Sequence, residues 1–201
     1  MANNNEKDIK MILVGMTGTG KTNLINAITG QKFDNNEMST ITASFLEKKI
    51  TVKDKEYHLS IWDTAGQEKY RALTKIFIKD AKIVIFVYSI INRKSFEEID
   101  YWTKTVKDIL GDKPVFGLAG NKKDLFQDEQ VEEEEGESKA KEIGAIFKLT
   151  SAKTKAGIND FIEKLVEEYA KKIGDFPDES KGEKLKSGND KEKKKSKCCK
   201  N

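Results

Sequence analysis

The chain has 201 residues, 37% of them hydrophobic, enough for one ordinary core, and its 37 Lys plus Arg against 34 Asp plus Glu leave a formal charge of +3. So balanced a charge gives no footprint for bulk nucleic-acid binding, and the arginines, Arg71 and Arg93, are too few for recognition built on guanidinium forks. Both cysteines, Cys198 and Cys199, stand at the C-terminal end, which excludes an internal disulfide framework, and the polar opening residues 1–8 lack the apolar core of a secretory signal, so a disordered N-terminus and residence in the cytosol are expected.

The first apolar run, Ile12-Leu13-Val14, reads as a short buried strand, and it leads directly into Gly15-Met16-Thr17-Gly18-Thr19-Gly20-Lys21-Thr22. This is a G-x-x-x-x-G-K-[ST] loop. Such a loop turns backbone N–H groups toward phosphate oxygens, Lys21 adds charge near the outer phosphates, and Thr22 offers a hydroxyl to Mg²⁺. Leu24, Ile25 and Ile28 at helical spacing make 21–29 a helix whose N-terminal dipole favours the same phosphates. The pattern implies a nucleoside triphosphate cradle; its competitor is a glycine-rich turn with no ligand.

Alternating apolar residues on either side of Lys53-Asp54-Lys55-Glu56 predict a hairpin over 44–62, with His58 on its outward, solvated side. The strand ends at Asp63-Thr64-Ala65-Gly66-Gln67-Glu68. An acidic residue at such a strand end can hold Mg²⁺, which makes Asp63 a candidate; Gly66 permits close approach of its N–H to a γ-phosphate, and the Gln67 amide can orient a water. A turn with an N-capping Asp is the bland alternative.

Ile83 to Tyr88 is continuously apolar, and Val115 to Ala119 resembles it, so both read as central strands buried on two faces. Between them the spacing from Phe96 to Leu110 predicts one crossover helix. Asn121-Lys122-Lys123-Asp124 then closes the second of these strands. A carboxylate at Asp124 can accept from the ring N–H and the exocyclic amine of guanine, donors that adenine lacks. Glu132 to Glu135 form the acidic first turn of a helix running to Ile143. After the strand Phe147-Lys148-Leu149, Thr150-Ser151-Ala152-Lys153 can bring backbone N–H groups to a purine oxygen, or serve as a capped turn.

The last helix carries an apolar stripe from Ile158 to Ile173 and ends near Gly174. Alternating strands and helices of this kind predict an α/β layer structure with a mostly parallel sheet. From Asp178 large apolar residues nearly vanish and lysine dominates, so 175–201 is expected to be a disordered basic tail, ending with Cys198 and Cys199 behind a lysine run.

In their order along the chain, the four elements resemble the Ras-like small GTPases over residues 8–173. Trp62 before Asp-Thr-Ala-Gly-Gln-Glu, Lys69-Tyr70-Arg71 and the Cys-Cys-Lys-Asn ending resemble the Rab family, and Ala43-Ser44-Phe45-Leu46 its early-endosomal branch. The resemblance implies a P-loop G domain over 9–174: a six-stranded, mostly parallel sheet with one antiparallel strand and helices on both faces. It implies GTP or GDP held at its phosphates by Thr17, Gly18, Thr19, Gly20, Lys21, Thr22, Thr40 and Gly66, and at its guanine by Phe33, Asn121, Lys122, Asp124, Ser151, Ala152 and Lys153. Mg²⁺ would sit on Thr22, Thr40 and Asp63, with Gln67 catalytic and switches over 34–45 and 64–78.

Further implications are GTP hydrolysis, effector recruitment in vesicle trafficking, and cycling between cytosol and the cytoplasmic face of an endosomal membrane. The implied partners are an exchange factor, an activating protein, effectors, a prenylation escort and a GDP-dissociation inhibitor, with Cys198 and Cys199 prenylated and no nucleic acid bound. Thr17 stands where the family often has glycine or serine, which implies slower hydrolysis and leaves a GTP-locked scaffold as the alternative. A P-loop kinase would need charged lid residues that two arginines do not supply. Thr42 and Ile76-Phe77-Ile78-Lys79-Asp80 also depart from the common Rab pattern, on surfaces that select effectors.

Overall fold

The computed structural model describes residues 7–33, 44–63 and 76–176. The elements run β1 (Asp8–Val14), α1 (Lys21–Thr29), β2 (Ser44–Val52), β3 (Lys55–Asp63), β4 (Ile83–Ser89), α2 (Arg93–Glu97), α3 (Ile99–Leu110), β5 (Val115–Asn121), α4 (Glu133–Ile143), β6 (Ala145–Leu149) and α5 (Ile158–Lys172). A 3₁₀ segment, Lys123–Asp128, joins β5 to α4. The six strands form one sheet in the order β2-β3-β1-β4-β5-β6. Only the β2–β3 pair is antiparallel.

Burial on both faces explains why the central strands read as unbroken apolar runs. Every residue of β4 is buried, and period-two alternation sends Ile83, Ile85 and Val87 to one face and Val84, Phe86 and Tyr88 to the other. The first set packs with Leu24, Ile25 and Ile28 of α1 and Phe161, Ile162 and Leu165 of α5. The second packs with Phe96, Ile99, Trp102 and Val106 on α2 and α3 and with Ala140 and Ile143 on α4. Each large side chain buried this way contributes about 1.5–3 kcal/mol, so the sheet's alternation fixes which helix lies on which face.

Local chemistry sets the element ends. The β2–β3 turn narrows to Lys53-Asp54, both with positive φ (47° and 64°), the handedness that matches the twist of the paired strands. The single crossover helix expected over 96–110 is two helices: Asn92 accepts from the Ser95 N–H to start α2, and Glu98 serves as C-cap of α2 and N-cap of α3. Glu132 and Glu135 form a reciprocal capping box on α4, which accounts for the acidic run.

The described residues also reach past α5. Asp175 and Phe176, assigned by composition to the tail, are held on the β2–β3 hairpin: the Tyr57 hydroxyl donates to Asp175 Oδ2 at 2.8 Å, and Lys55 Nζ donates to the Asp175 carbonyl at 2.6 Å. Phe176 is buried in the same core as α1 and α5, with the ammonium groups of Lys53 and Lys55 5.5 and 5.0 Å from its ring centre. Likewise Asp8, placed in the disordered N-terminus, belongs to β1 and pairs with His58 of β3.

Candidate functional site

Five parallel strands direct their carboxyl ends to one edge of the sheet. From β1 the chain continues through α1 to β2, which lies beyond β3 on one side, whereas β4 lies on the other side of β1 and connects onward to β5. Such a reversal opens a crevice at the strand ends, the place where open α/β sheets bind ligands. The loop 15–20 leaves β1 into that crevice.

Close packing gives the loop its course. Gly15 is buried, and a Cβ there would lie 2.1 Å from the Val87 carbonyl oxygen, so the loop runs directly against β4. Gly20, the N-cap of α1, has φ 89°, and no acidic side chain stands in the first turn to neutralise the positive end of the helix dipole. Lys21 is buried, and its Nζ donates to the carbonyls of Gly15 and Met16, both at 2.9 Å. Burial pulls the ammonium down to about 8, with Asp63 and Glu98 opposing it. Two of its three donors are used in these bonds.

Opposite the loop, the Thr22 hydroxyl donates to Asp63 Oδ2 at 2.8 Å. α1 supplies the hydroxyl and the end of β3 the carboxylate, 41 residues apart in sequence. A hydroxyl and a carboxylate side by side are hard oxygen donors that fit Mg²⁺, an ion that takes few protein ligands and completes its shell with phosphate and water. Among the described residues no cluster of three His, Cys, Asp or Glu side chains offers a self-sufficient metal cage.

A second group of residues comes from β5 and the loop after β6. Asn121 is 1% exposed; its Nδ2 donates to the Thr19 carbonyl at 2.9 Å, and its Oδ1 accepts from Thr150 Oγ1 and the Ala152 N–H, each at 3.3 Å. One amide side chain thus ties the phosphate loop, β5 and the loop after β6 together. The Ala152 N–H, expected to meet a purine oxygen, is used here on Asn121. Ser151 donates to Asp124 Oδ1 at 2.5 Å and accepts from the Thr154 N–H at 3.1 Å, which fixes the carboxylate's orientation. Lys122 adopts the left-handed conformation (φ 69°) and is half-buried. Burial lowers its pKa, with Asp124 opposing.

The structure therefore brings Thr17, Gly18, Thr19, Gly20, Lys21, Thr22 and Asp63 to the same sheet edge as Asn121, Lys122, Asp124, Ser151, Ala152 and Lys153. Phe33 is half-buried against the core on the α1 side. Thr40, Gly66, Gln67, Cys198 and Cys199 lie outside the described residues.

Two features escaped the sequence reading. The Thr150 hydroxyl braces Asn121, although nothing distinguishes it from an ordinary capped turn in sequence. Phe45, Trp62 and Phe77 form a row of aromatic rings, with centroid separations of 5.3 Å between Phe45 and Trp62 and 5.5 Å between Trp62 and Phe77. The register pairing Phe45 with Trp62 was the available signal, because directly opposed residues share a sheet face.

Compared with known protein families, residues 10–171 match the model of the Ras family. That span runs from β1 into α5 and contains the phosphate loop, Asp63 and both base-side loops, so the match and the geometry cover the same unit. The chain belongs to the Ras family, small GTPase switches that bind GTP and GDP, typically with Mg²⁺.

Proposed function

We propose that the chain is a Rab-type switch that hydrolyses GTP and, while GTP is bound, recruits effectors to an endosomal membrane in vesicle trafficking. The observation that carries this reading is the aromatic row, exposed at Phe45 and half-buried at Trp62 and Phe77. Phe45 is 45% exposed and contacts Trp62, which contacts Phe77. These residues flank segments 34–43 and 64–75, which hold Thr40, Gly66 and Gln67. Apolar rings beside both segments supply a partner surface whose edges change when the γ-phosphate is lost.

Within the site, Lys21 and the loop N–H groups bind the phosphates, and Asp124 accepts from guanine while Ser151 holds it in place. Thr22, Asp63 and Thr40 would hold Mg²⁺, which when bound neutralises phosphate charge. Gln67 orients the attacking water, and Thr40 and Gly66 sense the γ-phosphate. No arginine other than Arg71 and Arg93 is available in the chain, and the family resemblance assigns Arg71 to the second switch, to partner binding rather than catalysis. Intrinsic turnover is then slow, on the order of 10⁻⁴ per second as for Ras, until an activating protein supplies the missing charge.

An exchange factor resets the cycle. Prenyl groups on Cys198 and Cys199 anchor the tail stably, as two chains do and one does not, and an escort protein and a GDP-dissociation inhibitor cover them in the cytosol.

The test is single-turnover phosphate release from bound GTP by the wild type and by Gln67→Leu. The expected outcome is a slow wild-type rate that falls at least about ten-fold in the variant. Equal rates would remove Gln67 from the chemistry and favour the GTP-locked scaffold.

A further inference from the structure

The G-x-x-x-x-G-K-[ST] pattern leaves position 19 open, yet the structure gives that side chain a specific task. Thr19 is 1% exposed, and its Oγ1 donates to the Met16 carbonyl at 3.0 Å across the loop. The same carbonyl accepts from Lys21 Nζ at 2.9 Å, so its two lone pairs are matched by two donors. At its other end, the Thr19 carbonyl accepts from Asn121 Nδ2 at 2.9 Å.

Peptide planarity turns these bonds into an orientation. In a trans peptide the C=O of one residue and the N–H of the next point in opposite directions. Holding the Met16 carbonyl on Thr19 and Lys21 turns the Thr17 N–H the other way; holding the Thr19 carbonyl on Asn121 does the same for the Gly20 N–H. Both N–H groups belong to the phosphate loop. When Lys21 shifts its donors onto a phosphate, the Thr19 hydroxyl is the bond that keeps the Met16 peptide in place.

We propose that Thr19 is a positioning residue for nucleotide retention: its hydroxyl sets the Met16–Thr17 peptide, and its carbonyl couples that setting to Asn121 on the guanine side. The ligand is a guanosine diphosphate or triphosphate, and the proposal rests on nucleotide binding by this family.

Dissociation of a fluorescent GDP from the Mg²⁺-loaded protein tests it, using Thr19→Val, which keeps the volume and removes the hydroxyl, and Thr19→Ser, which restores the hydroxyl. Thr29→Val is the structural control, because Thr29 Oγ1 makes a like bond to the Ile25 carbonyl at 2.9 Å on α1, away from the loop. Thr19→Val should release GDP about five-fold faster, with Thr19→Ser and Thr29→Val within about two-fold of wild type. A wild-type rate in Thr19→Val, an equal acceleration in Thr19→Ser, or an equal acceleration in Thr29→Val would overturn the proposal. Failure of the wild type to hold GDP would instead overturn the nucleotide reading of the whole site.

Discussion

Gly20 meets two demands that no other side chain satisfies together. Its φ of 89° lies where a Cβ is strained, and a Cβ there would stand 2.7 Å from Asn121 Nδ2, the group that joins the phosphate loop to β5. Gly20→Ala should therefore push Asn121 off the Thr19 carbonyl and weaken GDP binding at least about ten-fold, at a global cost of about 1–3 kcal/mol. Titration with labelled GDP measures the first and thermal unfolding the second; unchanged affinity would contradict the close approach. The glycines and Lys21 are legible in sequence because motif chemistry demands those types at those positions. The hydroxyl roles of Thr19 and Thr150 are not, since the partner of each hydroxyl is set by the tertiary course of the chain.

At the scale of elements, the β2–β3 hairpin is pinned at both ends. Asp63 accepts from Thr22 at one end, and Tyr57 and Lys55 hold Asp175 at the other. The Tyr57 hydroxyl and then Lys55 hold the Asp175 carboxyl below its ordinary value, while burial and the Asp175 charge push the Tyr57 phenol up. A carboxyl lowered in the folded state contributes stability above its unfolded value, near 3.8, and loses it as pH falls through the folded value. Asp175→Ala should cost about 1 kcal/mol at pH 7, since the clasp is partly open to solvent, and the gap from wild type should shrink below pH 4. Thermal unfolding of both proteins at pH 7 and pH 3 checks this; a gap independent of pH would contradict the carboxylate's role. Alternation made the hairpin legible, whereas the clasp joins residues 118 apart in sequence and composition alone placed Asp175 in the tail.

For the whole molecule, the apolar runs of β4 and β5 announce strands covered on both faces, and the stripes on α1, α3 and α5 announce their covers. Strand order is different: periodicity does not rank neighbours, and the family resemblance implies six strands with one antiparallel, which the sheet has, whereas the order β2-β3-β1-β4-β5-β6 is seen only in the structure. The division of the crossover helix at Glu98 was hidden because both halves keep one apolar stripe. What the fold achieves is to bring the ends of β1, β3, β5 and β6 to one edge, so that the loop 15–20 and Asn121, 102 residues from Thr19 in sequence, are joined directly. In the proposed function, discrimination for guanine rests on Asp124 above all. The most direct measurement is competition of GDP and xanthosine diphosphate for the wild type and for Asp124→Asn. The wild type should favour GDP strongly and the variant should shift toward the xanthine nucleotide, whose exocyclic C2 carbonyl oxygen replaces the amine that the carboxylate accepts from and can accept from the amide that replaces the carboxylate. Undiminished preference for GDP in Asp124→Asn would contradict guanine recognition by this carboxylate.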